Sequence, residues 1–322
     1  MKYWKSIAAM ALAGAVAATG AQAAGYPDKP VNLIVPYPPG GATDVVARLV
    51  AQKLSADWGQ QVVVNNRPGA GTTIAAELVA RSPGDGYTLY ETTAAHTISA
   101  SLYSRLNYDP IKDFAPVTLT VTIPLVLVTA PGIPAKNLQE LIAYAKATPA
   151  GLTVASTGNG TPQHLTAELF KAKTGVKLVH VPYKGDSPMI NDLLGGQVQM
   201  AFVTLSAALP HIKAGKLHAI ALAHSRRVEA IGDVPTMAEA GMPGFEAATW
   251  FGLFGPASMP ADLRQKIYHD VSRIVAQPDV IKLLQDMGGD VNNSSPEDFQ
   301  RFIDAEAARW AEAVKISGAR ID

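Results

Sequence analysis

The 322-residue sequence contains no cysteine. That removes disulfides, thiolate nucleophiles, cysteine-ligated zinc and iron–sulfur clusters, and a chain of this length can bury its cores without cross-links. An excess of either charge is also missing, since 27 Lys and Arg stand against 27 Asp and Glu. No nucleic-acid partner is expected, because such proteins carry a basic patch or stripe. Beyond the N-terminus no segment approaches the roughly 18 uninterrupted apolar residues of a membrane span. Catalytic signatures are absent as well: there is no G-x-S-x-G elbow and no H-E-x-x-H. His96, His164, His180, His211, His218, His224 and His269 share no metal-ligand spacing. Gly69-Ala70-Gly71 lacks the third glycine of a dinucleotide fingerprint, and no Gly-Lys-Ser/Thr follows Gly40-Gly41. The expectation is a protein without metal, cofactor or catalytic function.

What is present begins with a targeting segment. Lys2 and Lys5 precede an apolar run from Ile7 to Ala18, and Ala21-Gln22-Ala23 forms a small-x-small cleavage pattern. Residues 1–23 read as a secretory signal peptide, an N-terminal anchor helix being the alternative. Cleavage after Ala23 would leave 299 residues with 25 basic and 27 acidic side chains, exported to a periplasm.

Short β-branched runs then alternate with amphipathic stretches. Val31 to Val35, Gln61 to Val64 and Tyr87 to Glu91 read as strands, and Thr43 to Ser55 and Gly71 to Arg81 as helices. Pro124 divides two β-rich runs, Phe114 to Thr122 and Leu125 to Thr129. Asn137 heads a helix to Thr148 with Glu140 three residues on. The rhythm repeats through the middle of the chain, and the last 60 or so residues are mostly helical. Such alternation predicts an α/β protein with largely parallel sheets. Val117 to Pro131 and Ala247 to Pro256 are candidate crossings between two halves.

Ligands of open α/β sheets bind beyond the carboxyl ends of strands, where helix N-termini offer free amides. The first junction, Pro36-Tyr37-Pro38-Pro39-Gly40-Gly41-Ala42-Thr43-Asp44, is stiffened by prolines and opened by glycines. Its backbone suits an anion. Thr43 reads as an N-cap, and Asp44 as a complement to the helix dipole rather than a ligand contact. The second, Ser156-Thr157-Gly158-Asn159-Gly160-Thr161-Pro162-Gln163-His164, offers small hydroxyls and amides. His164 is either a ligand contact or a satisfied helix histidine. Tyr183-Lys184-Gly185-Asp186-Ser187 and Thr204-Leu205-Ser206 are the third and fourth, and Thr92, Thr93 and His96 follow the third strand. Candidate ligand contacts are Tyr37, Pro38, Gly40, Gly41, Thr43, Thr93, His96, Thr157, Asn159, Gly160, Thr161, His164, Thr204 and Ser206.

Motifs in collinear order carry a family resemblance. Tyr26-Pro27-Asp28-Lys29-Pro30-Val31 through Asp44, Asn66-Arg67-Pro68-Gly69-Ala70-Gly71, Asp85-Gly86-Tyr87-Thr88-Leu89 and Tyr108 through Phe114 open the series. Val181-Pro182-Tyr183-Lys184-Gly185, Val234 through Gly241 and Trp250 through Pro256 continue it. Together they resemble the Bug-type receptors, the substrate-binding proteins of tripartite tricarboxylate transporters, over essentially the whole mature chain. The resemblance implies a two-domain periplasmic-binding-protein fold (type II-like), each domain a mostly parallel sheet flanked by helices, hinged by two crossing segments. Domain 1 would be 24–122 plus 250–322, and domain 2 would be 123–249. It implies a small carboxylate ligand, a monomer, and transient large and small integral-membrane partners. Many members carry Asp-Asn where this chain has Val203-Thr204, which points away from an amino-acid ligand and toward a plain organic acid. The alternatives are a receptor that senses a solute without transport, and an exported serine hydrolase using Ser187 or Ser206.

Overall fold

The computed structural model describes residues 25–321, so the expected signal peptide at 1–23 lies outside it. Strand β1 (Val31–Val35) pairs in parallel with β2 (Val62–Asn66) on one side and β3 (Thr88–Thr93) on the other. Helix α1 (Ala42–Trp58) connects β1 to β2 and buries Val46, Val50 and Leu54 at helical spacing against that sheet. It begins one residue before the sequence predicts, with Gly41 rather than Thr43 at the N-cap, and ends at Gly59 in the left-handed conformation. Helix α2 (Thr73–Ala80) leads into β3, and α3 (Ala95–Leu102), which has no forecast in the sequence pattern, follows it.

Strand β4 (Phe114–Thr129) runs unbroken through Pro124. Residues up to Pro124 pair with β9 (Ala248–Pro256), whereas Leu125–Thr129 pair with β7 (Met200–Thr204), with β8 (His218–Leu222) on the other side. A proline donates no N–H, so a seam between two ladders is a place that tolerates one. Beyond β7 lie β5 (Leu152–Ser156) and β6 (Leu178–Pro182), parallel to one another and to β7. One arm of the sheet is thus β2-β1-β3-β9-β4, closed by β10 (Asp290–Val291), and the other is β8-β4-β7-β5-β6.

The α/β architecture follows the sequence pattern, but the sheet is mixed rather than largely parallel. β9 is antiparallel to both β3 and β4. A chain that leaves one arm along β4 returns along β9, and strands travelled in opposite senses pair antiparallel. The two candidate crossing segments are therefore partners in one ladder.

Helices α4 (Leu138–Ala147), α5 (Pro162–Thr174), α6 (Asp186–Leu194) and α7 (Leu205–Lys213) belong to the second arm. Asn137 caps α4 as its spacing predicts, accepting the Glu140 N–H at 2.9 Å. Helices α8 (Ala261–Val275), α9 (Pro278–Asp286) and α10 (Pro296–Ser317) return to the first arm. There α10 helps close an aromatic core of Tyr90, Phe114, Trp250, Phe254, Phe299 and Trp310. Both indole N–H groups of that core donate to Glu306 Oε2, from Trp250 at 3.0 Å and Trp310 at 2.9 Å, and Arg309 pairs with the same carboxylate. Among the described residues no helix is long and apolar enough to cross a membrane.

Candidate ligand-binding site

Parallel pairing fixes where the junction loops meet. Because β1, β2 and β3 run in one sense, Val35, Asn66 and Thr93 end at one edge of the first arm. Ser156, Pro182 and Thr204 likewise end at one edge of the second. The two edges enclose a cavity of about 10 Å³, room for a single water, which adjoins an outer cleft of about 440 Å³.

Tyr37, Thr43 and Thr93 wall the inner cavity from the first arm, and Thr157 and Thr204 from the second. The Tyr37 and Thr93 hydroxyls share a hydrogen bond at 2.9 Å, and burial pushes the tyrosine pKa well up, so it stays a neutral phenol. Opposite, Thr157 donates to Gln163 Oε1 at 3.1 Å, and Gln163 Nε2 donates to Thr204 Oγ1 at 3.0 Å. With its acceptor side occupied, the Thr204 hydroxyl has its proton available for the cavity. The first amides of α1 have no partner within the helix; Ala42 gives its N–H to Asp186, and Ala42 and Thr43 line the same space.

Asp44 is the staple of the first loop. It accepts the Gly40 N–H at 2.9 Å, Arg48 Nε at 2.8 Å and Asn66 Nδ2 at 2.9 Å. Burial on its own would raise its pKa, but these bonds outweigh it and hold the carboxyl below its usual range. Gly40, left-handed at φ 87°, thereby spends its N–H on Asp44 rather than on the cavity.

Several predicted residues line neither space. Pro38 lies against Gly185, and Gly41 caps α1 beside Asp186. Thr161 caps α5, accepting the His164 N–H at 3.4 Å, and Gly160 donates to His164 Nδ1 at 3.2 Å. His164 stacks on His180 with ring centroids 4.0 Å apart; burial, then Lys171, lowers its pKa to about 4. The Ser206 hydroxyl is buried without a partner. His96 belongs to the aromatic core, packed on Phe114, Tyr90 and Phe254, and burial lowers its pKa to about 4. Asn159, by contrast, does line the outer cleft, together with Tyr37 and Thr157.

Other lining residues escape the junction reasoning. Gln163 and Asp186 stand within the junction strings, where no local pattern marks them as lining residues. Thr249 and Phe251 come from β9, where no loop marks them. In the outer cleft, Ala70 (φ 43°) and Thr72 (φ 87°) hold left-handed conformations that non-glycine residues rarely adopt, a strain that gathers at functional sites. Asp186 Oδ2 accepts the Ala42 N–H at 3.3 Å, so the N-terminus of α6 reaches across to that of α1. Burial raises its pKa to about 6, offset in part by that bond.

Two α/β arms whose helix N-termini converge on a hydroxyl-lined cavity define a periplasmic-binding-protein architecture. Comparison with known proteins agrees. Residues 46–318 match the family model described as "Tripartite tricarboxylate transporter family receptor", and the chain belongs to that family. It is 37% identical to Protein BugT of Bordetella pertussis over 298 residues, 92% of this chain and 91% of that protein. A structure of R. palustris Rpa4515 with adipate superposes with a TM-score of 0.89 at 36% identity, covering 92% of this chain and all of the other. MatC from Rhodopseudomonas palustris with bound malate gives 0.86 at 34% identity, covering 90% of this chain and 100% of the other.

Proposed function

We propose that the protein is an extracytoplasmic solute receptor that binds a small organic carboxylate between the two arms and delivers it to a tripartite tricarboxylate-type transporter. The observation that carries this reading is the inner cavity, which in this form has room for only a water and widens to admit an acid as the arms part. It sets the α1 N-terminus and the Tyr37–Thr93 pair against the Thr157–Gln163–Thr204 chain, with no Lys, Arg or His in its lining. Neutral donors at a helix N-terminus receive an anion without the cost of burying a cation beside it. The adipate and malate in the two related structures support a carboxylate as the cargo.

The proposed domains are residues 24–122 with 250–322, and residues 123–249, flexing where β4 and β9 pass between the arms. Tyr37, Thr43 and Thr93 would bind from one side, and Thr157 and Thr204 from the other. The family description supports transporter subunits as transient partners, in our reading one large and one small membrane protein, and the segment at 1–23 supports export to the periplasm.

A thermal-shift and calorimetric screen of mono-, di- and tricarboxylates tests the reading. A ligand at 100 times its Kd adds about 2.7 kcal/mol to stability. No stabilisation by any carboxylate at millimolar concentration defeats the proposal.

A further inference from the structure

Asp186 is the one acidic side chain in the wall of the inner cavity, and half of its carboxylate is unaccounted for. Oδ2 accepts the Ala42 N–H at 3.3 Å, while Oδ1 is shut off from solvent with no hydrogen-bond partner. A buried carboxylate oxygen without a donor is costly. None of the donors in the wall bonds Oδ1: Tyr37 and Thr93 bond each other, Thr157 donates to Gln163, Gln163 donates to Thr204, and the free Thr204 proton does not reach it.

Ala42 belongs to the first turn of α1, the place where the receptor reading seats a ligand carboxylate. A carboxylate there stands beside Asp186, which is largely ionised near neutral pH, and like charges at close range repel. A hydrogen-bond donor on the ligand, next to its bound carboxylate, answers both problems. It partners Oδ1 and sets a positive hydrogen between the two anionic groups.

We propose that Asp186 is a specificity-determining residue that selects carboxylic acids bearing a hydroxyl or ammonium group beside the bound carboxylate, over unsubstituted acids of the same length. The inference rests on the carboxylate-receptor reading and adds the ligand's second group. The Val203-Thr204 pair at the end of β7 points to plain organic acids; Asp186 returns an acidic group to that same cavity from α6.

The test is calorimetry near pH 7.5 on wild type and Asp186→Asn, with matched acids at the chain length the carboxylate screen selects. At four carbons these are succinate, malate and aspartate. In wild type a substituted acid binds about tenfold or more tightly than its unsubstituted match, the worth of a hydrogen bond to a charged group. In Asp186→Asn, shown folded by its thermal melt, that ratio shrinks to about threefold or less. Equal affinities in wild type overturn the inference while leaving the receptor reading intact. So does a ratio that survives in Asp186→Asn while all affinities fall together, because that is the mark of a residue that only ties α6 to α1. Silence across the whole carboxylate screen removes the receptor reading, and the inference with it.

Discussion

Replacing Glu91 with glutamine removes a pH-dependent load on folding that the structure allows to be sized. Glu91 lies on β3 with no exposed surface, and neither carboxyl oxygen has a hydrogen-bond partner. Burial alone raises its pKa from 4.5 to about 8. At pH 7 the folded protein therefore keeps the proton, whereas the unfolded chain releases it. Each pH unit above 4.5 costs the folded state about 1.4 kcal/mol until the folded group itself ionises near 8, so the load at pH 7 is about 3 kcal/mol. Stability of the wild type falls as pH rises through this window, because the unfolded state binds fewer protons than the native state. Urea melts of wild type and Glu91→Gln at intervals from pH 5 to pH 8.5 isolate the effect, since Asp186 and the histidines contribute equally to both. The glutamine variant gains on wild type by about 4 kcal/mol across that range. A constant difference between the two proteins would refute the assignment of Glu91 as a lone buried carboxyl. Glu91→Leu, which also removes the orphaned oxygens, is expected to be the more stable protein throughout.

Three further outcomes follow from the same geometry. In Gly71→Ala the new Cβ strikes the Tyr103 hydroxyl and comes within 2.7 Å of the Asn159 carbonyl across the cleft. Titration calorimetry is expected to show weaker ligand binding, and urea melts a loss larger than the roughly 1–2 kcal/mol that alanine costs in a left-handed conformation, because the Asn159 backbone must also shift. His164 and His180 accept protons in the folded state only near pH 4, against 6.5 in the unfolded chain, so stability is lost as pH falls between those values. His164→Gln reduces that loss by about 3 kcal/mol in urea melts. Glu306→Ala strands the Trp250 and Trp310 indoles and costs about 3 kcal/mol, whereas Arg309→Ala, at the half-exposed end of the pair, costs under about 1 kcal/mol by denaturant titration.

The amino-acid order by itself determined the alternation of strands and helices, the cap at Asn137 and the glycine-rich junctions. It did so because periodicity and capping are decided within one or two turns of chain. Those junctions named five residues of the inner cavity wall: Tyr37, Thr43, Thr93, Thr157 and Thr204. The tertiary structure alone decided that Pro124 breaks nothing, since a seam between ladders exists only once β9 and β7 are in place. It drew His96 into the aromatic core, and it brought Thr249 and Phe251 from a strand to the cavity. Asp186 meets Ala42 across 144 residues of sequence, and no local pattern carries that separation. The reason is physical: a helix start is written in its neighbouring residues, but the group that faces it is chosen by the packing of two arms.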